Sequence, residues 1–166
     1  MSKMFKEWCK DAMLAVIIVL ILYFFLWPMS IEGDSMERSF FAGDKVLISK
    51  VLTMAGKYQV GDIIVFRGND RGKDIQMIKR VIAVSGQKVE INNGKVYIDG
   101  VLQQETYVEG TTKGNVNMIV PEGEIFFMGD NREFSCDSRD MGTISTKKLR
   151  GKVVLRWFPF TKITLY

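Results

Sequence analysis

Residues 12–27 carry no charged side chain, and no face of the run is polar. A helix that is apolar all round has to be buried, in a large core or in a bilayer. The rest of the chain, about 135 residues, has room for one domain core of ordinary size, so lipid is the better-matched surrounding. At 1.5 Å per residue the run reaches about 24 Å, short of a ~30 Å hydrocarbon core. Continuing through Pro28, Met29, Ser30 and Ile31 brings it close to the ~20 residues usually needed. Trp8 on one side and Tyr23 and Trp27 on the other stand where interfacial rings are expected, and Lys3, Lys6 and Lys10 form a basic flank. A cleavable export signal would need small residues at alternate positions after the apolar core. Trp27-Pro28-Met29-Ser30-Ile31-Glu32 offers no such pair, so the segment reads as a retained anchor. The chain is expected to comprise a cytoplasmic N-terminus (1–11), a transmembrane anchor (12–31) and an extracytoplasmic domain (32–166). Three lysines before the run, against Arg38 and Lys45 after it, favour that orientation.

Composition narrows the chemistry. The chain is 47% hydrophobic and 25% charged, which suits a folded body rather than a disordered one. Cys9 and Cys136 flank the apolar run, so an anchor would keep them on opposite sides of the membrane and no disulfide framework is expected. Two separated cysteines and no histidine leave no zinc site, no EF-hand spacing occurs, and no metal or other cofactor is expected. Lys147, Lys148, Arg150, Lys152, Arg156 and Lys162 lie in a stretch without an acid. On an anchored chain such a stretch reads as a solvated face or a contact with anionic lipid, and no nucleic-acid partner is expected.

After residue 30 the pattern is that of strands. Short β-branched runs occur at 45–51, 62–66, 75–84, 124–128 and 153–158. Residues 89–91 and 95–98 flank Asn92-Asn93-Gly94, a hairpin signal because Asn-Gly tolerates positive φ. The expected fold is a mainly β body, a distorted barrel or sandwich, behind one N-terminal helix. The stretch 105–117, rich in Gly, Thr and Asn, is expected to be a mobile loop.

Three segments can carry chemistry. Ser35, in Gly33-Asp34-Ser35-Met36, is a potential nucleophile just beyond the anchor, with Met36 able to pack its loop onto the core. Without histidine, its base must be another residue type, and lysine is the leading candidate. A lysine base has to be uncharged, which requires apolar surroundings. Lys79 meets that condition: strand alternation puts it on one face with Met77, Val81 and Ala83, and Ile78, Arg80, Ile82 and Val84 on the other. The third segment, residues 129–142, is dense in Asp, Asn, Ser and Arg, with Asp137 and Arg139 spaced for a charge-assisted pair.

Together these segments resemble the bacterial type I signal peptidases, membrane-bound serine endopeptidases that remove signal peptides from exported preproteins. The resemblance spans nearly the whole chain. It rests on the anchor, Gly33-Asp34-Ser35-Met36, Gly61-Asp62-Ile63-Ile64-Val65-Phe66, Lys79-Arg80-Val81-Ile82, and the loop from Gly129-Asp130-Asn131-Arg132 through Ser135, Asp137, Ser138 and Arg139 to Gly142. Length and Gly33 are similar to the compact Gram-positive form. The resemblance implies a signal-peptidase-like fold with Ser35 as nucleophile, Lys79 as general base and Ser135 orienting the lysine amine. Asp130, Asp137 and Arg139 would hold the active-site framework, and the Ser35 N–H would serve the oxyanion. It also implies preproteins and the lipid bilayer as partners, and pockets for small side chains one and three residues before the cut. Arg38 stands where the family has proline, and the family's Gly, Pro and Asp after the lysine read Ala83, Ser85 and Gln87 here. A catalytically weak or inactive anchored paralogue that binds signal peptides is the alternative reading. A self-cleaving repressor protease would share the chemistry but carry a DNA-binding segment in place of the anchor.

Overall fold

The computed structural model describes residues 3–54, 56, 58–70 and 72–166. Helix α1 (Lys3–Phe25) leads into β1 (Leu26–Ser30), β2 (Lys45–Ser49) and the short α2 (Val51–Met54). A long hairpin of β3 (Ile63–Asp70) and β4 (Lys73–Val84) follows, then β5 (Lys88–Asn92), β6 (Lys95–Ile98), β7 (Val101–Leu102) and β8 (Val116–Ile119). The chain closes with β9 (Glu124–Met128), α3 (Ser138–Met141), β10 (Ile144–Ser145), β11 (Leu149–Phe158) and β12 (Thr164–Leu165). Among the described residues these form an eight-stranded sheet, β1-β2-β11-β3-β4-β9-β10 with β12 beside β11, and a four-stranded sheet, β7-β6-β5-β8. The mainly β expectation holds. The Asn93-Gly94 turn also forms as its sequence demands, with φ of 49° and 77° and Asn92 paired with Lys95.

The segment 12–31 is not one helix. α1 stops at Phe25, and Leu26–Ser30 run antiparallel to β2 with Trp27 opposite Ile48 and Met29 opposite Val46. Proline explains the break: Pro28 has no N–H for a helix and pushes the preceding residue to extended backbone. It is tolerated in β1 because β1 is an edge strand. Among the described residues, no helix is long and apolar enough to cross a membrane.

Two further expectations are corrected. Ala83 does not share a face with Lys79's neighbours. A bulge between Val81 and Ala83 breaks the alternation, so Met77 and Val81 pack with Ile64, Phe66 and Phe127, whereas Ala83 joins Ile82, Phe126 and Met128. The 105–117 stretch is also no free loop: Arg132 binds Glu105 and Thr112, and β8 begins at Val116. Glu105 and Thr112 serve a buried cation, while most of the other residues of the stretch face solvent.

Candidate active site

The site starts with a tight turn beneath β1. Glu37 N–H donates to Asp34 O (3.0 Å), and Ser39 and Phe40 N–H groups both donate to Met36 O (3.1 and 2.8 Å). Met36 and Phe40 are fully buried and pack with Ile31, Ile48 and Ile63, so burial of these side chains seats the turn as the sequence suggested for Met36. Ser35 is left half-buried at its rim. Among the described residues its N–H has no hydrogen-bond partner, while its carbonyl accepts from the Asn131 N–H at 3.1 Å.

Lys79 comes from the middle of the large sheet. β4 is flanked by β3 and β9, with Lys79 opposite Ile64, so it is not an edge lysine. Only 3% of its surface is exposed, and its Nζ donates to Ser35 Oγ at 2.7 Å across a sequence separation of 44 residues. The two side chains open into a cleft of about 180 Å³ whose walls include Gly33, Ile75, Met77, Phe134 and Cys136.

The 129–142 loop supplies the frame. Asp130 is fully buried and takes a bidentate bond from Arg80, Nε to Oδ1 at 2.8 Å and Nη2 to Oδ2 at 2.6 Å. Arg80 also donates to Gly61 O and Ser39 Oγ, and its guanidinium lies 4.0 Å from the Tyr107 ring centroid. Burial opposes its charge, but the Asp130 hydrogen bonds and charge outweigh that and raise its pKa. Asp137, also fully buried, accepts from Arg139 Nε (2.8 Å) and Nη2 (2.9 Å), caps α3 through the Arg139 N–H, and accepts from the Gly129 N–H. The expected Asp137–Arg139 pair therefore forms. Arg139 in turn donates to Arg132 O, and Arg132 is held by both Glu105 oxygens.

Ser135 departs from expectation. Its hydroxyl is buried with no hydrogen-bond partner among the described residues, so it does not bond the lysine amine. It does reach the site: a Cβ added at Gly129 would overlap both Ser135 Oγ and the Ser35 carbonyl oxygen. Gly129→Ala is accordingly expected to lower cleavage by about a hundredfold, because displacing a nucleophile by about 1 Å has that cost. Steady-state kinetics on folded variant, with circular dichroism as the folding check, measure this.

Arg38 resolves the departure at the family proline. Its φ is 80°, which proline cannot adopt, and its Nη1 donates to Val108 O at 2.7 Å. The turn here is thus built for a left-handed residue and tied by a side chain to the 105–112 segment. Arg38→Pro is expected to destabilise the fold by about 1–3 kcal/mol, read as a lower denaturation midpoint.

Sequence reasoning missed Arg80, Asn131, Arg132, Glu105, Thr112 and Tyr107 as parts of this frame. For Arg80 a signal existed. Two adjacent cations inside an apolar strand, on opposite faces, mean that both faces are covered and that each cation needs a partner.

Most of the chain matches known proteins. A family model described as signal peptidase, peptidase S26, covers residues 5–158. The "Probable signal peptidase I-1" of Synechocystis sp. is 40% identical over 95% of this chain and 84% of its own length. Signal peptidase I of Bacillus licheniformis is 32% identical over 95% of this chain and 90% of its own. A crystal structure of a signal peptidase I from Enterococcus faecalis V583 is 30% identical and superposes with a TM-score of 0.50, covering 58% of this chain and 96% of that one. With this frame around Ser35 and Lys79, and these matches along its length, the chain belongs to the signal peptidase family, peptidase S26.

Proposed function

We propose that the protein is a membrane-anchored signal peptidase that cleaves signal peptides from exported preproteins with a Ser35/Lys79 dyad. The observation that carries this reading is the 2.7 Å approach of the buried Lys79 amine to Ser35 Oγ. Burial disfavours a charged amine, and an uncharged one can accept a proton. As Ser35 Oγ attacks the scissile carbonyl, its proton passes to Lys79 Nζ. The oxyanion is met by the unengaged Ser35 N–H. Collapse of the tetrahedral intermediate breaks the C–N bond, Lys79 returns the proton to the departing amine, and the acyl-enzyme remains. Lys79 then deprotonates a water that hydrolyses the ester. The narrow cleft favours small side chains beside the cut. Asp130, Asp137 and Arg139 keep the frame.

Anchoring rests on α1. Met13, Leu14, Val16, Ile17, Ile18, Val19 and Leu20 are all exposed on it, an arrangement that water disfavours and lipid does not. Lys6 and Lys10 can snorkel toward a cytoplasmic headgroup layer. In this reading the N-terminus is cytoplasmic and the β body lies on the outer face, where signal peptides emerge. Anchoring replaces a three-dimensional search by encounter within the membrane.

A penem-type acylating inhibitor tests the dyad. The expected result is one stoichiometric mass increment on Ser35, lost in Ser35→Ala and Lys79→Ala. Labelling elsewhere, or none, would rule the dyad out and favour a binding paralogue.

A further inference from the structure

The basic stretch that the sequence singles out is dispersed by the fold. Lys152 pairs with Asp62 at 2.6 Å, Arg156 is buried against Asp44, and Lys162 lies over the Phe41 ring. Arg150 is different. The β11–β3 register shifts between Leu149 and Gly151, leaving Arg150 as the extra residue of a bulge, a geometry that turns a side chain out of its ladder. It lines a cavity of about 530 Å³ together with Leu26, Trp27, Pro28 and Lys50. Among the described residues, neither Arg150 nor Lys50 is ion-paired to a carboxylate. Lys50 instead places its ammonium 5.5 Å from the Trp27 ring centroid.

The position of this cavity matters as much as its charge. The Lys50 N–H donates to the carbonyl of Phe25, the last residue of α1, and Leu26 and Trp27 are the first residues after it. With the helix ending there, the uncharged helical stretch 12–25 is about 21 Å long, shorter than a ~30 Å hydrocarbon core. A short anchor draws its flanking residues toward the bilayer. Trp27, Lys50 and Arg150 then lie at headgroup depth, where an indole ring is favoured and two cations meet phosphate.

We propose that this cavity seats the phosphodiester headgroup of an anionic phospholipid at the outer membrane face, with Lys50 and Arg150 flanking the phosphate and Trp27 against the glycerol region. The site fixes the height and tilt of the β body over the membrane. It rests on the anchored reading of α1 but not on the chemistry of Ser35, and the test can be run in Ser35→Ala.

The full chain is inserted into vesicles of phosphatidylcholine and phosphatidylglycerol at roughly two to one, and retained lipid is read by native mass spectrometry after mild detergent extraction. Preferential retention of phosphatidylglycerol by about tenfold is expected, falling to within about twofold in Lys50→Gln/Arg150→Gln. Lys95→Gln/Lys113→Gln, which removes the same charge from exposed positions elsewhere, is expected to keep it. Extraction of the parent chain by alkaline carbonate would overturn the anchor and the site with it. An inserted chain whose preference survives the first double substitution, or is lost equally in the second, would overturn the site alone. Displacement of the lipid by millimolar inorganic phosphate would reassign the cavity to free phosphate and also overturn it.

Discussion

Replacing Ser35 or Lys79 by alanine is expected to reduce preprotein cleavage by at least about three orders of magnitude, with the two losses far from additive in the double variant. Members of a nucleophile–base unit act together, so removing either one removes most of what the pair provides. The 2.7 Å contact is the ground for treating these two residues as such a unit under the proposed function. Lys79→Arg separates base from cation: a guanidinium can donate hydrogen bonds as a fixed cation but cannot be deprotonated in a protein. It is expected to be as inactive as Lys79→Ala. The measurement is cleavage of a preprotein in detergent or vesicles, with folding checked by circular dichroism. An active Lys79→Arg enzyme would show that the lysine acts by charge rather than as a base.

The second large effect belongs to Arg80 and Asp130. Arg80→Ala is expected to destabilise the fold by about 3–5 kcal/mol, since it strands the fully buried Asp130 carboxylate without its bidentate partner. Activity should fall with it, because Arg80 also holds Ser39 in the nucleophile's turn and follows Lys79 directly in β4. Arg80→Met/Asp130→Leu removes both charges, and replacing a buried pair by apolar groups is often neutral for stability. The double variant is therefore expected to recover most of the denaturation midpoint and little of the activity. Recovery of both would mean that the pair is packing material rather than a frame for the site.

These two experiments separate chemistry from support, and the same division marks what could be read along the chain. The hairpin at Asn93-Gly94 was legible because two positive-φ residues between β-branched runs leave the backbone few alternatives. Lys79 was legible because a lone amine among Met77, Val81 and the neighbouring apolar residues has no inexpensive place except a covered site. The length of the apolar helix was not legible from hydropathy, although Pro28 marked where a helix had to stop. Hydropathy does not distinguish the end of a helix from an apolar edge strand, and Leu26–Ser30 became β1 because β2 was there to pair with it. Loop 105–117 misled for a related reason. Glu105 and Thr112 look like solvent-facing residues until Arg132, a buried cation 27 and 20 positions away, is brought beside them.

By itself the sequence narrowed the kind of chemistry: without histidine, lysine is the leading base for a serine placed after an apolar segment, and Lys79 lies within an apolar strand. It determined the mainly β body as well, through short-range patterns of period two and the turns between them. Only the tertiary structure decided which groups touch. It brought Ser35, Lys79 and the 129–142 loop together, gave Asp130 to Arg80, left the Ser135 hydroxyl without a partner among the described residues, and turned Arg38 into a latch on Val108. The physical reason is the range of the forces involved. Backbone preference and hydrophobic alternation act over a few neighbouring residues, whereas the pairing of buried charges is settled by whichever partner the folded sheets carry within 3 Å.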